Sequence, residues 1–167
     1  MANAQPKMSA SHIEQKLKEL GITLPQPAVP VASYVPFVVV GDMVYISGQL
    51  PVLDGKMQYQ GKLGADISID DGASAARLCA LNLIAQLKSA CGGDLNRVAR
   101  CVKLTGFVNG VDGFADQPKV MNGASNLMVD VFGELGKHAR AAVGTNSLPF
   151  NVCVEVEGVF QIRPDKQ

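Results

Sequence analysis

The sequence predicts a single α+β domain in which two long helices pack on one side of a mixed or antiparallel sheet. Three observations carry this. The chain has 167 residues, 47% of them hydrophobic, enough for one well-filled core and too few for two ordinary ones. Its apolar residues recur at helical spacing in two long stretches, and alternate or cluster as strands elsewhere. The resulting order is β-β-α-β-α-β-β behind a helical extension, which places both long helices on one sheet face.

The elements follow in order. Residues 1–10 are polar, after which Ser11-x-x-Glu14 forms a capping box ahead of Ile13, Leu17 and Leu20, with Gly21 as the stop. A short amphipathic helix is expected over about 11–20. The segment "LPQPAVPVASYVP", 24–36, holds four prolines and reads as an extended connector laid over the domain. Residues 1–33 are therefore an N-terminal extension, and 34–167 the single domain. In "FVVVGDMVYISGQLPV", two β-rich runs flank Gly41-Asp42 as a hairpin, and "LDGK" beyond it is another turn.

Asp70 or Asp71 is a plausible cap for a long helix in which Ala76, Leu83, Ile84 and Leu87 recur until Gly92-Gly93. Residues 98–108 are strand-like, and a second long helix runs from about Pro118 to Gly133 or Gly136. "GKHARAAVGTNSLPFNVCVEVEG", 136–158, then supplies two strands around Leu148-Pro149.

Composition narrows the function classes. Fifteen basic and fifteen acidic residues give zero formal net charge, so the long-range field that recruits nucleic acid or anionic membrane is missing, and nucleic acid is not expected as a partner. Cys79, Cys91, Cys101 and Cys153 form no C-x-x-C pair, and with only two histidines no zinc site is expected; the thiols read as reduced and structural. No apolar run reaches the roughly 20 residues of a membrane span, and no signal-peptide core is visible, which points to a cytoplasmic protein. The glycines of "NGVDGF" and "CGGD" lack phosphate-loop spacing and read as turns.

The last two strands carry charges at informative positions. Val152, Val154 and Val156 alternate with Cys153, Glu155 and Glu157; in the preceding strand Ala141, Val143 and Thr145 alternate with Arg140, Ala142 and Gly144. If both strands turn their valines toward the helices, Arg140, Glu155 and Glu157 share the helix-free face. Such a face is either a solvated ion pair, worth at most about 1 kcal/mol, or a site. In the second reading, small Ala142 and Gly144 leave room beside an arginine suited to gripping a carboxylate or phosphate, with a glutamate able to move protons.

Tyr34, "ISGQLPV" with Ser47 and Gly48, Asn122 in "VMNG", "ARAAVG" with Arg140, and "LPFNVCVEVE" with Glu155 together resemble the reactive-intermediate deaminase family (RidA/YjgF, also called the endoribonuclease L-PSP family). The resemblance covers about three quarters of the chain, roughly 34–161. It implies a chorismate-mutase-like fold and a homotrimer whose sheets meet as a barrel, with ligand clefts between subunits. It also implies hydrolysis of enamines and imines to 2-keto acids and ammonia without cofactor or metal. The arginine matched by Arg140 would hold the substrate carboxylate, and the glutamate matched by Glu155 would position water and handle protons. Tyr34, Ser47, Gly48, Asn122 and Ala142 would line the cleft.

Ala142 departs from the family pattern, where a cysteine is common, and serves if only its backbone N–H is needed. The N-terminal 33 residues and the longer "LDGKMQYQGKLGADISIDDG" connection lie outside the common pattern and mark a larger sub-branch. Two other readings remain at this point: a non-catalytic small-carboxylate binding protein of the same fold, and the ribonuclease or translation-inhibitor activity of the family name. Zero net charge and the lack of a histidine pair for RNA cleavage weigh against the last. His138 reads as a polar surface residue and His12 as inert.

Overall fold

The computed structural model describes residues 12–29 and 33–164. Helix α1 (His12–Glu19) buries Ile13 and Leu17 on its inner face; Ser11 of the expected capping box lies outside the described residues. The Ile13 amide donates instead to Asn96 Oδ1 at 3.2 Å, and Lys88 pairs with Glu14 at 2.6 Å, so the helix is fastened to the body of the domain. The connector then crosses the first long helix, where Gln86 Nε2 donates to Ala28 O at 2.8 Å.

Strands β1 (Phe37–Val40) and β2 (Met43–Gln49) form the expected hairpin, with Val40 opposite Met43 and Gly41-Asp42 as its turn. Two short strands, β3 (Val52–Leu53) and β4 (Lys56–Met57), pair around the "DG" turn. Helix α2 (Ile69–Ala90) begins two or three residues earlier than expected, because Ser68 is its cap and its hydroxyl accepts from the Asp71 amide at 3.1 Å. Asp70 and Asp71 lie in the first turn instead, where their charge suits the positive end of the helix dipole. Strand β5 (Val98–Asn109), helix α3 (Gln117–Phe132), strand β6 (Ala139–Thr145) and strand β7 (Val154–Ile162) complete the chain.

The main sheet has the order β1-β2-β7-β5-β6. All neighbours are antiparallel except β5 and β6, which run parallel because α3 carries the chain back to the same end. Both long helices cover one face, and the core lies between them and the sheet: Leu83, Ile84, Leu87, Leu127, Met128, Val154, Val156 and Phe160 are buried there.

The two strands of residues 136–158 are thus not neighbours, since β5 lies between them. This overturns the expectation that Arg140 shares a face with Glu155 and Glu157. Along β5 the register sets Leu104 beside Arg140, Gly106 beside Ala142 and Val108 beside Gly144. Leu104 and Val108 are core residues, so Arg140, Ala142 and Gly144 point to the helix side. Val143 pairs with Phe107, which on its other side pairs with Glu155; it takes the open face and is 45% exposed. Gly144 lies close to α3: a Cβ on it would stand 3.1 Å from Gln117 Nε2, in the first turn of that helix.

The open face remains uncovered and partly apolar. Val38, Val40, Tyr45 and Val143 are exposed on it, beside Glu157. Among the described residues no helix is long and apolar enough to cross a membrane.

Candidate functional site

The residues singled out in the sequence gather in two groups rather than one. The first sits where β2 and β7 part. Their register shifts between Ile46 and Gln49, a bulge that places Ser47 and Gly48 out of the regular ladder. The Ser47 hydroxyl donates to Val35 O at 2.8 Å, and its amide to Pro36 O at 2.9 Å, which ties the Tyr34 segment to the bulge. Tyr34, Ser47 and Gly48 border a cavity of about 260 Å³, walled also by Met57, Asn82 and Phe150.

Glu155 packs directly on Gly48. A Cβ there would coincide with Glu155 Oε1, so glycine is what admits the carboxyl group. Half-burial raises the Glu155 pKa above the ordinary carboxylate value, and the nearby charge of Glu157 raises it further. A carboxylate so held is a better proton acceptor than a solvated one.

The second group is at the β6 edge. Arg140 Nη1 donates to Asn122 Oδ1 at 2.9 Å and to Ser125 Oγ at 3.2 Å. Asn122 lies inside α3, not at the turn that an asparagine before glycine suggests, and one helical turn brings Ser125 beside it. Nη1 donates to both acceptors, while Nη2 and Nε carry no hydrogen bond among the described residues, and Arg140 is exposed. A guanidinium pinned by one nitrogen and open along its other edge suits a bidentate carboxylate. Ala142 follows on the same face of the strand.

Ser125 and His138 belong to this group; sequence reasoning passed over Ser125 and read His138 as a polar surface residue, whereas it is half-buried. His138 Nδ1 lies 2.6 Å from Gly136 O, and Nε2 lies 2.9 Å from Ser125 Oγ. The only available signal was the position of His138 two residues before Arg140, which on an edge strand puts both on one face.

The two groups are separated in one chain. Arg140 and Glu155 lie on opposite sheet faces, with β5 between their strands. Two strand spacings of about 4.8 Å already place the strand axes roughly 10 Å apart.

Comparison with known proteins places these features in a wider set. Residues 14–160 match the family described as "YjgF/chorismate_mutase-like, putative endoribonuclease". Protein TCP17 of Trypanosoma cruzi is 44% identical over 156 residues, covering 93% of this chain and 97% of that protein. The crystal structure of a protein of unknown function from Agrobacterium tumefaciens superposes with a TM-score of 0.84 at 49% identity, covering 91% of this chain and 92% of the other. A crystal structure from Shewanella oneidensis gives a TM-score of 0.86 at 39% identity, with 90% and 99% covered.

Proposed function

Because the chain belongs to the YjgF/chorismate-mutase-like family, we propose that it is a hydrolytic deaminase of small 2-imino acids and their enamine tautomers, acting as a homotrimer with its sites between subunits. The observation that carries this reading is the Arg140 guanidinium, fixed through Nη1 and open along its Nη2–Nε edge.

In the reaction, the substrate carboxylate pairs with that open edge, which sets the adjacent C=N carbon at a defined distance from the strand. Water adds to this carbon as Glu155 takes a proton from it, giving a carbinolamine. Glu155 returns the proton to nitrogen, the C–N bond breaks as the hydroxyl oxygen forms the carbonyl and passes its own proton through Glu155 to the departing nitrogen, and 2-keto acid and ammonia leave. No covalent intermediate with the protein is needed, since the imine carbon is already electrophilic and the site supplies position and proton transfer. The raised basicity of Glu155 suits it to the role.

The separation of the two groups supports the assembly. Arg140 and Glu155 of one chain cannot meet over one substrate, whereas Arg140 of one copy can face Glu155, Ser47 and Tyr34 of the next. The exposed apolar residues of the open sheet face support burial by further copies, which would close the cleft to bulk water. Ribonuclease action is the weaker reading, because His138 is already engaged with Gly136 and Ser125.

The test is the loss of 2-iminopropionate or 2-iminobutyrate released by a dehydratase from serine or threonine. The protein should speed that loss, and Arg140→Ala should remove the effect. If the wild-type protein binds 2-oxobutyrate through Arg140 but accelerates no imine, it is a carboxylate-binding protein of this fold instead.

A further inference from the structure

The contacts of Arg140 extend into a directed chain of hydrogen bonds, and the direction can be worked out atom by atom. Gly136 O can only accept, so His138 Nδ1 carries a proton and donates to it at 2.6 Å. In the neutral ring Nε2 is then an acceptor, and the group facing it at 2.9 Å is the Ser125 hydroxyl, which must donate. With its only proton committed to His138, Ser125 Oγ turns lone pairs outward, and Arg140 Nη1 donates to them at 3.2 Å. Every donor in the series finds an acceptor, and the series ends at the guanidinium, whose Nη1 also donates to Asn122 Oδ1.

The start of the chain is as firmly set as its end. Gly136 is buried at the close of the turn that follows α3, and a Cβ there would coincide with Met128 O. That contact presses the turn against the helix backbone and so fixes where the Gly136 carbonyl stands. Ser125 is on α3 itself, so both supports of the histidine ring belong to the helix layer, not to the exposed edge strand.

The consequence for Arg140 is geometric. One acceptor, Asn122 Oδ1, would leave the guanidinium free to swing about the Nη1···O line. A second acceptor on the same nitrogen, Ser125 Oγ, lies off that line and so restricts the plane of the group, and with it the direction of the open Nη2–Nε edge. We propose that Ser125 and His138 are positioning residues that set the plane of the Arg140 guanidinium, and thereby the orientation in which it receives a substrate carboxylate. This rests on the reading of Arg140 as the carboxylate anchor. Neither residue touches the ligand; each acts through the next.

The experiment uses the full-length protein with Ser125→Ala, His138→Phe, Ser125→Thr and Arg140→Ala. Two quantities are read: hindered rotation of the Arg140 side chain, from its 15N-resolved Nη signals, and the affinity for 2-oxobutyrate. Ser125→Ala and His138→Phe should average the Nη signals and weaken 2-oxobutyrate about tenfold, with KM rising in proportion while kcat holds within about twofold. Ser125→Thr, which keeps the hydroxyl, should restore both. If Arg140→Ala abolishes binding while Ser125→Ala and His138→Phe bind as the wild type does, the positioning role is overturned and the anchor stands. If Arg140→Ala binds normally, the anchor reading fails and the carboxylate-orienting role falls with it; the Nη signals then decide the remaining claim, overturning the setting of the guanidinium plane if Ser125→Ala leaves them unchanged and supporting it if they average.

Discussion

Arg140 and Glu155 lie on opposite faces of the same sheet, with β5 between their strands, although they are only fifteen positions apart in the chain. A composite site makes a sharp prediction from this. Arg140→Ala and Glu155→Gln should each be inactive alone. Unfolded together and refolded as a mixture, they should regain about a quarter of wild-type activity, because in a cyclic trimer each mixed assembly has one interface with both residues intact and three quarters of random assemblies are mixed. A mixture that stays inactive, though shown by mass to have exchanged subunits, would place the whole site within one chain and overturn the intersubunit cleft.

Glu155→Gln should also separate function from stability. A carboxylate whose pKa is raised by burial and by Glu157 is disfavoured in its charged form, so the folded state holds its proton more tightly than the unfolded one. The favourable contribution is then present below the ordinary glutamate pKa and is lost as pH rises through the raised value. Above that window Glu155 costs stability, and glutamine, which cannot ionise, avoids the cost. Melting curves should show the variant more stable than wild type at pH 8, by about 2 °C or more, with the gap closing toward pH 4. A gap that is constant across this range would show that titration of Glu155 has no part in it.

The sheet elements and the two long helices were legible because their signals are local: alternation in 37–52 and 98–108, helical spacing in 70–91 and 118–133, glycines at the stops. Face assignment in β6 was not local. The face to which Arg140 points is decided by its register with Leu104, more than thirty residues earlier, and the parallel pairing exchanges the inward and outward sets that an isolated reading of "ARAAVG" suggests. Val143 looked like a core residue on composition and is exposed, while Ala142 and Gly144 turn with Arg140 toward the helix side. The motif residues themselves still fall in two coherent groups, because spacing along the chain preserves Tyr34 with Ser47 and Asn122 with Arg140 whatever the sheet order. Ser125 had no sequence signal at all, since a serine in a helix is usually a solvated one.

Gly48 offers a narrower test of how Glu155 is seated. A Cβ at 48 would fall on Glu155 Oε1, the far end of a flexible side chain, so the fold can yield there while the carboxyl group cannot keep its place. Gly48→Ala should leave the melting temperature within a few degrees of wild type and lower kcat/KM by about a hundredfold, the scale expected when a reacting group is displaced by about 1 Å. Normal activity in Gly48→Ala would mean that Glu155 does not work from the position it occupies against β2.

The four cysteines give a prediction independent of the site. All are buried, and burial pushes the thiols of Cys101 and Cys153 up to about 12, with that of Cys79 raised as well by burial and by the neighbouring Cys153 and Glu155. Because the thiolate is the reactive form, a disulfide reagent at pH 8 should find almost no reactive group in the native protein. Four equivalents should react promptly once guanidinium unfolds the chain. Rapid titration of one thiol in the native state would instead reveal local opening of the layer between α2 and the sheet, where Cys79 Sγ faces Val154 O at 3.7 Å.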